Sequence, residues 1–174
     1  LSFLFIGLLS SAIFYYYSAY KITQAHYEES LYDLRQGLVE KQAMVQSLLR
    51  RHDSISLKKM MQTNLSDPNV VKTLIVDKAG KILYSSSLNF QGNLQDNTQL
   101  TYLYELFSHN KDKEMVSTYQ VDDTPTLYGI APLYLSGHVN HLRPQIDGYY
   151  LEHQDVTERV KNILVHEKNK TLIE

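Results

Sequence analysis

No formally charged side chain occurs in residues 1–20; the run is apolar, aromatic, Gly or Ser, and Lys21 ends it. A helix needs ~20 such residues to cross the hydrocarbon core of a bilayer. The expectation is therefore a membrane anchor, with Phe3, Phe5, Ile6, Leu8, Leu9, Ile13 and Phe14 in lipid. Tyr15, Tyr16, Tyr17 and Tyr20 cluster just before the first charge, and tyrosine rings favour the membrane–water interface. A cleaved signal peptide is the competing reading. Its apolar core would be shorter and would end in small residues, which Ser18-Ala19-Tyr20 matches poorly. The chain opens on Leu rather than Met and is read as a piece of a longer protein.

Residues 21–174 suffice for one globular domain plus a helical stalk. The formal net charge is -2 with both signs interspersed, so no basic field exists for nucleic acid. Cysteine is absent, which removes disulfides, thiolate metal sites and Cys nucleophiles. Tyrosine is abundant, 14 residues against 5 Phe and no Trp; it serves a core edge and a wet pocket equally well.

From Lys21 to about Asn64 the chain lacks Pro and repeats apolar residues at helical spacing: Tyr27, Leu31, Leu34, Leu38, Val45 and Leu48, with Lys41 where one more is due. This heptad-like stripe predicts one long stalk helix. Leu31, Leu34, Leu38, Val45 and Leu48 serve either a parallel homodimer seam or the helix's own domain, with Met60, Met61 and Leu65 against a sheet. Ser66-Asp67-Pro68-Asn69 stops the helix.

Residues 70–77 are β-branched and mostly apolar, a central strand; Lys78-Ala79-Gly80 turns the chain into a returning strand at 81–86. The polar stretch 88–97 reads as loop, and Thr98 as the cap of a helix carrying Leu100, Leu103, Tyr104 and Phe107. Strands at 115–121, 126–133 and 148–153 follow, with Pro132 suited to an edge or strand end. Asp155 and Glu158 open a last helix. The order predicts an α+β fold: a long N-terminal helix, then an antiparallel sheet with flanking helices. Its divisions are an anchor at 1–20, a stalk at 21–65, a sheet domain at 66–154 and a C-terminal helix at 155–174.

The anchor running into a stalk, the hairpin Leu74-Ile75-Val76-Asp77-Lys78-Ala79-Gly80-Lys81-Ile82-Leu83-Tyr84-Ser85-Ser86, and the Tyr-rich later strands ending in Asp155-Val156-Thr157-Glu158-Arg159 carry a resemblance. Together they resemble the extracytoplasmic PAS-like sensor domains of bacterial receptors, the Cache or PDC domains. The resemblance implies a PAS-like sheet, a small ligand held between the sheet and its covering loops, and signalling through the helices. The fused outputs of such receptors are histidine kinases, diguanylate cyclases or phosphodiesterases, and chemoreceptors. It also implies a second span after Glu174, and a bacterial inner-membrane protein with its soluble part in the periplasm.

Tyr84, Tyr102, Tyr119, Tyr128 and Tyr149 fall on or beside the expected sheet, where each provides an apolar wall and a hydroxyl for a ligand, or ordinary packing. Arg143 has the planar fork that holds a carboxylate, and Asp147 complements an amine. The ligand expected is thus a small carboxylate, amino acid or amine. His138, His141 and His153 are a weak candidate for a metal or pH-sensitive patch; no metal or cofactor is assigned. No phosphate-cradling Gly loop, kinase motif or nucleophile elbow occurs, so this stretch is read as a sensor rather than an enzyme. The alternative is a scaffold that dimerises or binds a partner without a small ligand. A polar-lined cavity between the central strands and residues 88–97 favours the sensor; a Leu- and Tyr-filled interior favours the scaffold.

Overall fold

The computed structural model describes residues 2–87, 89–121, 124–135 and 145–171, with the side chains of 2–5, 8 and 167–171 outside the described set. Helix α1 (Ser2–Arg50) leads into α2 (Ser54–Asn64), then β1 (Val70–Asp77) and β2 (Ile82–Ser85). Two 3-10 turns (Leu94–Asp96 and Thr98–Leu100) precede α3 (Thr101–Asn110). Strands β3 (Ser117–Gln120), β4 (Thr126–Leu133) and β5 (Gly148–Asp155) and helix α4 (Thr157–Thr171) complete the chain. The fold is α+β. One five-stranded antiparallel sheet, in the order β2-β1-β5-β4-β3, carries helices on both faces.

Local chemistry accounts for the joints. At the end of α1 the N–H of His52 donates to Leu49 O and that of Asp53 to Leu48 O, so the last carbonyls find partners while His52 adopts a φ of 56°. Asp53 then caps α2 by accepting from Ser56 N at 2.9 Å. The sequence reading ran one helix through to residue 64. The break was hidden because a left-handed helix end more often carries Gly or Asn than His. In the β1–β2 turn, Asp77 Oδ1 accepts from Ala79 N at 2.8 Å and Lys81 N at 2.9 Å, and Gly80 takes φ 85°. Asn97, rather than Thr98, accepts from Gln99 N ahead of α3. Asp155 accepts from Thr157 N at 2.9 Å to open α4. Pro132 pairs with Tyr149 on β5 but lies beyond the last β3 partner of β4, Ile130, so its missing N–H costs the ladder nothing there.

The sheet separates two cores. On one face α1, α2 and α4 cover Ile75, Leu127, Ala131, Leu133 and Tyr150; on the other, α3 and the 3-10 turns cover Leu74, Val76, Ile130, Tyr149 and Leu151. Strand alternation assigns these faces, since successive side chains point to opposite sides. The heptad-like stripe goes to the first core. Leu34, Leu38 and Val45 are buried against the chain's own sheet, with Leu31 and Leu48 packed at its margin. Those five side chains are therefore engaged within one copy. Met61 joins them, whereas Leu65 is exposed. Tyr27 extends the same core to Val156, just ahead of α4, and Val160 within it, and Arg159 donates to Asp33 Oδ2 at 2.8 Å. Because α1 follows β4 from Asp33 to Arg50 (Leu38 over Gly129, Arg50 on Tyr134 O), its first half and α4 both leave from the Asp155 end of the sheet.

The expected single span is corrected. Among the described residues no helix is long and apolar enough to cross a membrane, so the inner-membrane placement with a periplasmic domain is not supported. Among the described side chains ahead of Lys21, hydroxyl-bearing residues dilute the apolar ones. Ser10, Ser11, Ser18, Tyr15, Tyr16, Tyr17 and Tyr20 interleave with Ile6, Leu9, Ile13 and Phe14, and α1 continues past Lys21 without a break. Ser10 and Ser11 donate to Gly7 O within the helix. The side chains of Phe3, Phe5 and Leu8, expected in the same span, lie outside the described residues.

Gly129 sets how closely α1 approaches the sheet, since a Cβ there would overlap the Leu38 side chain, which is fully buried. Overpacking of this kind costs typically about 1–3 kcal/mol. Gly129→Ala is expected to lower the unfolding free energy by that amount, seen in urea unfolding as a lower midpoint with an unchanged denaturant slope. An unperturbed midpoint would show that the helix is free to lift.

Candidate functional site

Two features of the sheet face opposite ways and meet in its two central strands. The first is an aromatic cleft of about 190 Å³ between α3 and the β3–β4 edge, lined by Tyr102, Glu105, Leu106, His109, Asn110, Tyr119, Val121 and Tyr128. Tyr119 and Tyr128 are register partners on β3 and β4, so their side chains share one face of the sheet. Tyr128 is 9% exposed and forms the floor, while Tyr102 at 56% and Tyr119 at 37% form the rim. The Tyr102 and Tyr128 rings stack with centroids 6.0 Å apart, and Tyr128 stacks on His153 of β5 at 4.7 Å. Tyr119 donates to Asn110 Oδ1 at 2.7 Å, and Asn110 Nδ2 donates to Leu106 O at 2.8 Å, which fixes the end of α3 against β3.

Burial raises the Tyr128 pKa, helped by the neighbouring Tyr102. Beside it, burial and then the Lys72 ammonium hold the His153 imidazole down to about 4, with Asp155 opposing weakly. Lys72 is itself shifted down by burial, its Nζ lying 4.2 Å above the centre of the Phe90 ring.

The second feature is a buried ion pair one register step away. Glu152, directly opposite Gly129 on β4, is 0% exposed and points to the α1 face. Lys41 Nζ donates to both its oxygens, at 2.8 and 2.7 Å. Tyr150 OH donates to Glu152 Oε2 at 2.8 Å, Gln154 Nε2 to Oε1 at 2.7 Å, and Asn64 Nδ2 to the Tyr150 hydroxyl at 3.1 Å. Burial and then the Glu152 carboxylate push the Tyr150 pKa well up, so its hydroxyl stays a donor. One carboxylate thereby joins α1 and β5, while Asn64 of α2 reaches it through Tyr150. Sequence reading placed Lys41 on the stripe as a missing apolar position but did not pair it with Glu152. The available signal was a charge on the buried side of each element.

The sequence-predicted site residues divide among three places. Tyr102, Tyr119 and Tyr128 converge in the aromatic cleft. Tyr149 lies outside the cleft, its hydroxyl donating to Lys111 O at the C-terminal end of α3 and its ring edge-on to Phe107 at 5.3 Å. Burial first, then Asp112 and Tyr134, push its pKa up to about 12. It borders an open, polar depression of about 430 Å³ lined also by Lys78, Lys111, Asp112, Glu114 and Ile146. Nearby, Asp147 accepts from Leu135 N at 2.7 Å, which ties down the start of β5. Tyr84 is on the other face, beside Leu48, Leu49 and Leu57. Arg143, His138 and His141 lie outside the described residues. Among the described residues no group of three or more His, Asp or Glu side chains is placed to hold a metal ion. Between the central strands and the 88–97 stretch, where a polar-lined cavity would favour the sensor and a sealed interior the scaffold, Phe90 and Leu94 are both buried.

Compared with known proteins, the chain matches no family model and no curated protein.

Removing one partner of a buried ion pair strands the other, at a cost of roughly 3–5 kcal/mol. The solvent contact of Lys41, 24% exposed, places the expected loss for Lys41→Met toward ~3 kcal/mol. Lys41→Met combined with Glu152→Gln should recover much of that in a double-mutant cycle read by urea unfolding; strict additivity would rule out coupling.

His153 gives a second test. Its folded pKa lies below the unfolded value of 6.5, so the unfolded chain binds the proton more readily between pH 6.5 and about 4. Stability is therefore full above that window and falls as pH drops through it, by on the order of 2 kcal/mol after discounting for partial exposure. His153→Gln should flatten this part of the melting-temperature profile.

Proposed function

We propose that this chain is a non-catalytic, PAS-like sensor module of a signal-transduction receptor, binding a small molecule in the aromatic cleft and passing the change to its helices. The observation that carries the reading is the adjacency of the two features on β4 and β5. Tyr128 and His153, under the cleft, are immediate chain neighbours of Gly129 and Glu152, which face Leu38 and Lys41 of α1. A ligand that reorients Tyr128 displaces the strand pair on which α1 rests. Ligand binding shifts such a system only by its differential affinity for two packings. Helices α1 and α4 leaving from one end of the sheet give that change a common exit. The antiparallel sheet with helices on both faces agrees with what the resemblance to Cache and PDC domains implies.

A second reading has its own support. The filled interior beneath Phe90 and Leu94 is what a scaffold without a ligand requires, and its partner surface would use faces of α1 other than the stripe, such as the exposed Tyr32, Val39 and Met44.

The two readings part in a thermal-shift screen of small carboxylates, amino acids and amines on the full chain. A ligand of the native state at one hundred times its Kd adds about 2.7 kcal/mol, a shift of several degrees. The sensor reading expects a compound that raises the melting temperature of the native chain but not of Tyr102→Ala, whose own melting should change little because Tyr102 is exposed. A broad panel with no such compound would favour the scaffold.

A further inference from the structure

We propose that the aromatic cleft selects a small organic ammonium ion over a carboxylate or a neutral molecule; this rests on the ligand-binding reading above and specifies its ligand. The walls come first. Tyr102, Tyr119 and Tyr128 present ring surface from α3, β3 and β4 around one space, and the face of an aromatic ring attracts a cation through its quadrupole. The charge balance comes second. Glu105 contributes a carboxylate to the lining, and among the described residues no Lys or Arg side chain lines the cleft. Among the described residues Glu105 enters no ion pair, so its charge is available to a ligand.

Among the described residues the Lys113 ammonium lies 3.5 Å from the Tyr119 hydroxyl, outside the lining. It meets the polar tip of Tyr119 rather than its ring face. Lys72 is turned away onto Phe90. His109 is at the rim with Nδ1 2.7 Å from Glu105 O, a contact in which the imidazole donates to the backbone carbonyl.

An anionic ligand would enter beside Glu105 with no described Lys or Arg in the lining to meet it. A neutral apolar ligand would fill the space but leave the carboxylate unanswered. Size sets a further limit. At about 190 Å³ the cleft is smaller than the roughly 300–1,000 Å³ of sites for drug-sized ligands. The rings of Tyr102 and Tyr128, 6.0 Å apart and inclined by 27°, are already in contact with each other. The ammonium therefore sits between that pair and Tyr119 rather than sandwiched within it.

The test is titration calorimetry on the full chain with choline, its uncharged tert-butyl isostere and butyrate, at fixed pH and low ionic strength. Choline should bind about tenfold or more tighter than the isostere, as one good cation–π contact with a nearby carboxylate implies, and butyrate should give no heat. Glu105→Gln and Tyr102→Leu, both at exposed positions of α3, should each weaken choline about tenfold with melting temperatures close to native. If butyrate or the isostere binds as well as choline, or if neither substitution changes choline affinity, the ammonium assignment is overturned while the cleft can still serve another ligand. If none of the three binds and the broader panel also yields nothing, the sensor reading falls with it.

Discussion

The pair Lys41–Glu152 is the contact on which the arrangement of helix and sheet depends. An ionised carboxylate with no solvent exposure is expensive unless every acceptor site is met, and here Lys41, Tyr150 and Gln154 meet them. Three elements must therefore be in register at once: α1 at Lys41, β5 at Glu152, and α2 at Asn64, which holds the Tyr150 hydroxyl. Apolar packing of Leu34, Leu38 and Val45 drives α1 onto the sheet, but such packing tolerates sliding. A donor aimed at a buried acceptor does not, because a one-turn slip would strand the charge. We regard this pair as the device that gives the helix a single docking position.

That docking also explains the placement of small residues and the asymmetry of the two faces. Gly129 lets Leu38 lie against the strand opposite Glu152, so the helix can approach closely enough for Lys41 to reach. On the reverse side of the same strand pair, Tyr128 and His153 stack under α3. The two central strands are thus shared between a polar lock on one face and an aromatic floor on the other. The two faces are joined there by backbone alone, since Tyr128 and Gly129, like Glu152 and His153, are chain neighbours.

Much of the element order was legible in the chain. β-branched residues at 70–77 and 126–133, the Asp77 and Gly80 turn, and the Asp155 start of α4 are local signals. The structure places β1, β4 and the hairpin where they indicate. The misses share a cause. The turn at His52 depends on a backbone conformation that His rarely adopts, stabilised by bonds to Leu48 and Leu49. The uncharged opening stretch reads as a span, whereas no helix of the described residues is long and apolar enough to be one. Of the candidate tyrosines, the alternation brought Tyr119 and Tyr128 to one face. It could not show that Tyr102 would arrive from α3 to join them, or that Tyr84 would face the other core.

The residues by themselves determined the α+β class, the antiparallel strands and the amphipathic stripe of α1, because these follow from periodicities of two and about 3.6 within a few neighbouring residues. Only the tertiary structure decided what the stripe packs on, which buried charge answers Lys41, and which three tyrosines enclose a common space. Those outcomes turn on contacts between residues as far apart as Lys41 and Glu152. Burial and register are properties of the assembled layers, and no local pattern along the chain encodes which partner will be across the gap.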